Sequence, residues 1–338
     1  MVKHLDKIQK EFKGKTILIT GGTGSVGLGL AKQLIGCNPF AIRILSNDEN
    51  SIFEAKRNLP KNNVFTYMVG DIRDKDRLKL AIRDVDIVFH VAAMKHVDIC
   101  EQNPIDVVKT NVIGTSNIIE SSLLENISKF IFISTDKATN PMSTLGASKL
   151  LAERLTLDAV SYKGTAKTVF GIVRFGNVMG SRGSVFQIFL NQIRNKKSLT
   201  VTDIHMTRFI MSISQAAAMI LKVTTITKDK ETYVLKMPSI KIKDLAQGMI
   251  DVCEKKFGKN NSLINFSKAR EGERLHEFLV SHNELAYCHD IGDMYKISEK
   301  KNSKPPSISK FSSETTPKLS KKELHIIIKE LLNEYSTL

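Results

Sequence analysis

Tryptophan is absent from this sequence, and acidic residues are scarce beside basic ones, 35 against 50. The first absence excludes nothing. The second leaves a formal net charge of +15, which fits a nucleic-acid partner, an anionic surface or a site built for an anionic ligand. No aromatic residues are interleaved with the basic ones in a recognisable pattern, which argues against nucleic-acid binding. Much of the excess lies between Lys296 and Lys322, where lysines mix with serine and proline and read as a solvated linker. Only four cysteines occur, Cys37, Cys100, Cys253 and Cys288, too far apart for a metal-type pair spacing. They read as reduced thiols of a cytoplasmic protein. No apolar run approaches the roughly 18 residues of a membrane span. Residues 1–14 are charged and lack the apolar centre of a signal peptide. Hydrophobic residues nevertheless make up 42% of 338 residues, enough for a substantial core and ordinary for a globular chain.

Short apolar runs recur at 16–20, 41–45, 64–69, 87–91, 130–133 and 169–173, separated by segments of helical spacing. Nearly continuous strands alternating with helices predict a parallel sheet covered on both faces. The fold class is therefore α/β, a Rossmann-type doubly wound sheet, with a smaller and discontinuous C-terminal lobe. The expected division is an N-terminal arm over 1–14, a dinucleotide-binding domain over 15–176, a substrate lobe over 177–299 and a basic linker with a final helix over 300–338. Part of 212–236 is expected to return to the first domain. Further helices are expected from Pro104, over 147–159, 185–193, 214–224, 239–255 and 320–332, with strands at 233–236 and from 264. There is no internal repeat.

Between the first run and the first helix lies Thr20-Gly21-Gly22-Thr23-Gly24-Ser25-Val26-Gly27. Glycines at this strand-to-helix junction allow a tight turn and close backbone approach to a pyrophosphate, and the helix N-terminus favours the negative charge. The second run ends Ser46-Asn47-Asp48-Glu49, where the adenosine ribose of a dinucleotide belongs. Neither an acid nor a base stands at Ser46 or Asn47. Lys56 and Arg57 are in range of a ribose phosphate, or simply form a solvated helix face. The run Phe130-Ile131-Phe132-Ile133 stops at Ser134-Thr135-Asp136-Lys137, and Gly146-Ala147-Ser148-Lys149 opens a helix ten residues on. A buried strand with that ending delivers a hydroxyl, an acid and an amine to the edge where open α/β sheets bind ligands.

The three-residue spacing of Gly21, Gly24 and Gly27, the stretch His90 to Val97 and the Thr135-Asp136-Lys137 turn resemble the extended short-chain dehydrogenases/reductases. More narrowly, the chain is similar to the UDP-N-acetylglucosamine 4,6-dehydratases of surface-polysaccharide synthesis. This likeness also rests on Cys100 to Pro104, Arg174 to Val178, Gly180 to Ser184, Met206 to Phe209 and Arg270 to Glu273. It implies an internal redox cycle: hydride leaves sugar carbon 4, water is lost across carbons 5 and 6, and hydride returns to carbon 6. In that cycle Asp136 protonates the departing hydroxyl, Lys137 removes the carbon-5 proton and Thr135 hydrogen-bonds near carbon 4. Lys149 binds the nicotinamide ribose. The cofactor is NADP by this likeness, with NAD left open.

The same likeness assigns the cofactor to Gly21, Thr23, Gly24, Ser25, Val26, Gly27, Ser46, Asn47, Asp71, Ile72, Ala92, Ala93 and Lys95, with Asn111 bracing the strand. Lys95, Asn177, Val178, Arg182, Arg208, Arg270 and Glu273 are assigned to the nucleotide sugar. A homo-oligomer, dimer or hexamer, and inversion at carbon 5 are also implied. One departure stands out. The superfamily's tyrosine, four residues before Lys149, is Leu145 here, so Lys149 through water or Thr135 with a relay must take the carbon-4 hydroxyl proton. A UDP-sugar 4-epimerase and a non-catalytic cofactor-sensing protein are the competing readings.

Overall fold

The structure, a computed structural model, describes residues 2–258, 262–268 and 272–334. The first half contains α1 (Val2–Phe12), β1 (Thr16–Thr20), α2 (Ser25–Leu34), β2 (Ala41–Ser46), α3 (Glu49–Asn58), β3 (Phe65–Val69), α4 (Lys75–Ile82) and β4 (Ile87–His90). Then come α5 (Val97–Gln102), α6 (Pro104–Val107), α7 (Gly114–Leu124), β5 (Lys129–Thr135), α8 (Thr144–Tyr162) and β6 (Val169–Phe175). The main sheet runs β3-β2-β1-β4-β5-β6 and all these pairings are parallel. Strand order reverses between β1 and β4, which opens a crevice at their carboxyl ends.

Alternation along the strands loads both faces. Ile17, Ile19 and Phe89 point to one side, into a core shared with α2, while Leu18, Val88, Phe130 and Phe132 point to the other, beneath α7 and α8. The doubly wound sheet anticipated from the run spacing is thus the observed architecture. The N-terminal arm folds as α1, which buries Phe12 against Phe89 and pairs Glu11 with Lys129 at 2.7 Å.

The second half carries β7 (Asn177–Val178), α9 (Val185–Arg194), β8 (Leu199–Val201), β9 (Thr207–Met211), α10 (Ile213–Ile226), β10 (Glu231–Leu235), β11 (Ser239–Lys241), α11 (Ile242–Phe257), β12 (Ile264–Phe266), β13 (Cys288–Asp290), β14 (Met294–Ile297) and α12 (Lys321–Glu334). β10 joins β6 in parallel, and α10 packs on α2. The lobe expected over 177–299 is shorter than that, because β13 and β14 add an antiparallel end to the main sheet and complete nine strands. What remains is a compact layer of α9, α11 and α12 around Phe186, Phe189, Leu245, Met249 and Ile328. The helix expected over 239–255 is instead a short strand and then a helix.

The basic stretch before α12 is not a solvated linker. Phe311 is fully buried edge-on to Tyr295, with ring centroids 4.7 Å apart, and the Leu279 N–H donates to the Phe311 carbonyl at 3.0 Å. One buried aromatic side chain ties the segment down while its lysines stay in water. All four cysteines are free and buried.

Candidate active site

The glycine loop is closed by sterics. A Cβ on Gly21, which sits at φ +63°, would lie 2.7 Å from the Ala92 backbone, and one on Gly27 would lie 2.7 Å from the Gly21 carbonyl oxygen. Only hydrogen atoms fit there, so the loop folds tightly between β1 and β4 and leaves Gly24 as the N-cap of α2. This cradle fits a dinucleotide pyrophosphate. Gly21, Thr23, Gly24, Ser25 and Val26 line a cavity of about 990 Å³. A second cavity, about 430 Å³, opens beside Ser46, Asn47, Asp71, Ile72, Ala92 and Ala93.

In that second cavity the Ser46 hydroxyl bridges Thr23 and Ser51 at 3.0 and 3.2 Å. Asn47 donates to Asp71 at 3.4 Å, and Arg73 grips the same carboxylate at 2.6 Å. Burial pushes the Asp71 carboxyl up, but the Arg73 hydrogen bonds and charge outweigh it and leave it below its ordinary value. Asn111 touches neither cavity wall. It is buried in a π-helical turn over 108–113 and clasps Met94, accepting from its N–H at 2.8 Å and donating to its carbonyl at 3.1 Å. That turn aims the amide at the chain leaving β4, and so it braces Ala92 and Ala93.

β5 ends at Thr135, which lines the large cavity with Lys137 and Lys149. Asp136 does not: it is 0% exposed. Its Oδ1 accepts from the Thr135 hydroxyl at 2.9 Å and from the Lys137 ammonium at 3.0 Å, while Oδ2 has no hydrogen-bond partner. Asp136 therefore reaches the cavity only through its neighbours. Lys137 also approaches Asn177 Oδ1 at 3.4 Å and Glu277 Oε1 at 3.5 Å. Burial works against its charge, but Asp136 and Glu277 prevail over burial and Arg208, and hold its amine above the ordinary value. The resting Lys137 amine is thus held as an ammonium.

Lys149 shows the reverse. Its amine donates to the Ile133 carbonyl at 2.9 Å, rides over the Phe132 ring at 4.5 Å, and is pushed down to about 8 by burial, against the pull of Glu153. Leu145, one turn earlier on α8, is 3% exposed and packs with Cys100, Val107, Met94 and Val97. No proton-carrying group replaces the missing tyrosine at that position.

On the lobe side, Lys95, Asn177, Val178, Arg182, Arg208 and Glu273 all line the large cavity. Arg208 donates to the carbonyls of Thr207 and Leu275 at 2.8 and 3.2 Å and faces Glu273 at 3.5 Å. Arg182 reaches across to the glycine loop: its guanidinium donates to the Thr23 carbonyl and its backbone N–H to the Ser25 hydroxyl at 3.0 Å. Lys95 donates to the Arg182 carbonyl at 2.6 Å, and burial together with Arg182 lowers its amine. Arg270 lies outside the described residues. His90, by contrast, is a core residue held between Thr20 and Thr115 at 2.7 and 2.9 Å, neutral because burial pushes its ring down to about 3. Glu277, 3% exposed in the cavity wall, was signalled by no spacing rule, since it sits in a short charged stretch like many surface segments.

Residues 17–299 match the family model of polysaccharide biosynthesis proteins. A protein of Methanocaldococcus jannaschii named as an uncharacterised membrane protein is 45% identical over 96% of this chain and 98% of its own length. Among the described residues no helix is long and apolar enough to cross a membrane. A UDP-N-acetylglucosamine 4,6-dehydratase (inverting) of Campylobacter jejuni is 39% identical over 85% of this chain and 84% of its own. A UDP-glucose 4-epimerase of Rickettsia bellii is 37% identical over 85% and 83%. The X-ray structure of Pen from Bacillus thuringiensis superposes with a TM-score of 0.89 at 39% identity, covering 94% of this chain and 98% of that one.

Proposed function

This chain belongs to the polysaccharide biosynthesis family of extended short-chain dehydrogenases/reductases, and from that membership we propose that it is a UDP-N-acetylglucosamine 4,6-dehydratase. The observation that carries the reading is the 3.0 Å hydrogen bond from the Lys137 ammonium to Asp136. Moving that one proton across the bond turns a resting ion pair into a neutral amine beside a protonated carboxyl. That is the base and acid an elimination consumes. An epimerisation expels no hydroxyl and has no use for the acid.

A nicotinamide dinucleotide held by the glycine loop supplies a reversible hydride acceptor. Ketone character at sugar carbon 4 acidifies the carbon-5 proton, which Lys137 takes. Asp136, sealed from the cavity, passes its proton through the Thr135 hydroxyl to the departing hydroxyl at carbon 6. Lys149, whose amine burial pushes down to about 8, accepts the carbon-4 hydroxyl proton from its neutral form in place of the absent tyrosine. Arg182 and Arg208 suit the diphosphate, because a guanidinium fork donates to two oxygens at once. At the ribose end, the only cation lining the second cavity among the described residues is Arg73, already paired with Asp71. Arg57 lies over the Phe53 ring, 5.8 Å from its centroid. This pattern favours NAD over the NADP that the sequence likeness implies.

Incubation of the purified protein with UDP-N-acetylglucosamine, followed by mass, tests the reading. Loss of one water supports it. An unchanged mass with altered stereochemistry makes the protein an epimerase, and no turnover leaves a cofactor-sensing protein. Asp136→Asn and Lys137→Ala should each abolish water loss while the dinucleotide stays bound; full activity in both sinks the assignment.

A further inference from the structure

The wall of the large cavity contains a carboxylate that the elimination scheme leaves without a role. Glu277 is 3% exposed, and its Oε1 lies between the Lys137 amine at 3.5 Å and Arg208 Nε at 3.9 Å. Its Oε2 has no hydrogen-bond partner. The backbone on either side is pinned rather than loose: Glu277 N–H donates to the Ser313 hydroxyl at 2.9 Å, and Ser313 N–H returns a bond to the Glu277 carbonyl at 2.9 Å. Ser313 in turn bonds Thr207 at 2.7 Å, next to Arg208. A carboxylate buried this fully is costly unless a charge beside it compensates. Here two cations do so, one from the expected base and one from the expected diphosphate site.

We propose that Glu277, itself compensated by Arg208, is a positioning residue that keeps Lys137 an ammonium until Asp136 accepts its proton. The proposal rests on the reading of Lys137 as the carbon-5 base. Among the described residues, the charged groups facing the Lys137 amine are Asp136 from its own turn, Glu277 from the segment after Glu273, and Arg208 from β9, with the uncharged Asn177 amide from β7. Asp136 holds the Lys137 proton more strongly than Glu277 does, but it loses its charge on accepting that proton, whereas Glu277 keeps its charge throughout. Arg208 compensates the Glu277 charge from the other side, with its Nε 3.9 Å from the same carboxylate oxygen. A neutral amine next to a keto sugar is also a nucleophile. Holding it as an ammonium until Asp136 accepts the proton protects the intermediate from attack.

Two measurements on the full-length protein test this. The first is the pH dependence of Lys137 acetylation in the substrate-free protein, read by peptide mass spectrometry, which reports the amine directly and needs no turnover. In Glu277→Gln the midpoint should fall by ~1 pH unit or more, the usual effect of removing an opposite charge at this range. The second is the alkaline limb of the water-elimination profile, which should move down by the same amount, because the one proton that the Asp136–Lys137 pair must hold is then lost to solvent at lower pH. Glu277→Asp, which keeps the charge but shortens the arm, should shift both by less and covers the case in which the amide variant does not fold. Acetylation midpoints that coincide in parent and variants overturn the proposal whatever the turnover does. A shifted midpoint in a protein that releases no water from UDP-N-acetylglucosamine keeps the role of Glu277 and removes the dehydratase reading instead.

Discussion

The amines of Lys137 and Lys149 share one cavity and are biased in opposite directions. Lys137 is held above its ordinary value by Asp136 and Glu277 against its burial, whereas Lys149, beside the Ile133 carbonyl and the Phe132 ring, falls to about 8. Two lysines of one site thus hold their protons with different strength. Environments that split like groups in this way assign acid and base roles.

Lys149 is the first place where this can be measured. Its folded value of about 8 lies below the ordinary 10.5, so between those values the unfolded chain holds a proton that the folded chain has released. Stability therefore rises with pH across that window, and the burial penalty is complete below it. Lys149→Met should raise the melting temperature at pH 7 by a few degrees and lower turnover by about 100-fold or more. Calorimetry and product mass read the two effects; a variant that is less stable at pH 7 argues that the Ile133 contact outweighs desolvation.

Leu145 packs in an apolar slot and carries no proton, so a residue of like volume should serve as well. Leu145→Met should keep turnover within about threefold, because volume-conserving apolar swaps disturb a core little. A loss of tenfold or more would show that the leucine shape itself sets the sugar position.

Asn47 stands where a basic side chain would meet a ribose phosphate. Titration calorimetry should find NAD bound more tightly than NADP, by about tenfold or more, and Asn47→Arg should narrow or reverse the difference. Tighter binding of NADP by the parent protein would return the choice to the sequence likeness.

Phe311 fastens the basic segment that compositional reading leaves in solvent. Phe311→Ala should cost about 3–5 kcal/mol in urea unfolding, as for other fully buried phenylalanines. A cost under about 0.5 kcal/mol, the level of a surface position, would contradict the packing described.

Much of this was legible in advance, for identifiable reasons. Strands covered on both faces write continuous apolar runs, so β1 to β6 and their parallel order follow from spacing alone. The glycine loop is local chemistry and needs no distant partner. What stayed hidden depends on contacts far apart in the chain. β13 and β14 are short and half polar, and only their pairing with each other and of β14 with β10 makes them strands. Phe311 is one aromatic in a lysine-rich stretch, and nothing nearby announces that Tyr295 awaits it. Asp136 and Lys137 are adjacent in sequence, yet one is sealed and the other lines the cavity, a difference set by the turn after β5. Glu277 gains its meaning only from Lys137, 140 positions upstream, by a contact of 3.5 Å.

The hold of Arg182 on the glycine loop bears on kinetics. The strand-to-helix loop that would bind the dinucleotide is clasped by the same segment that carries Asn177 and Val178 into the cavity wall, and Lys95 reinforces the clasp from β4's end. A dinucleotide held by that loop should therefore leave more slowly than the nucleotide sugar. The proposed internal cycle gives back every hydride it borrows and would need no exchange, so the dinucleotide would act as a prosthetic group, loaded once and kept through many turnovers.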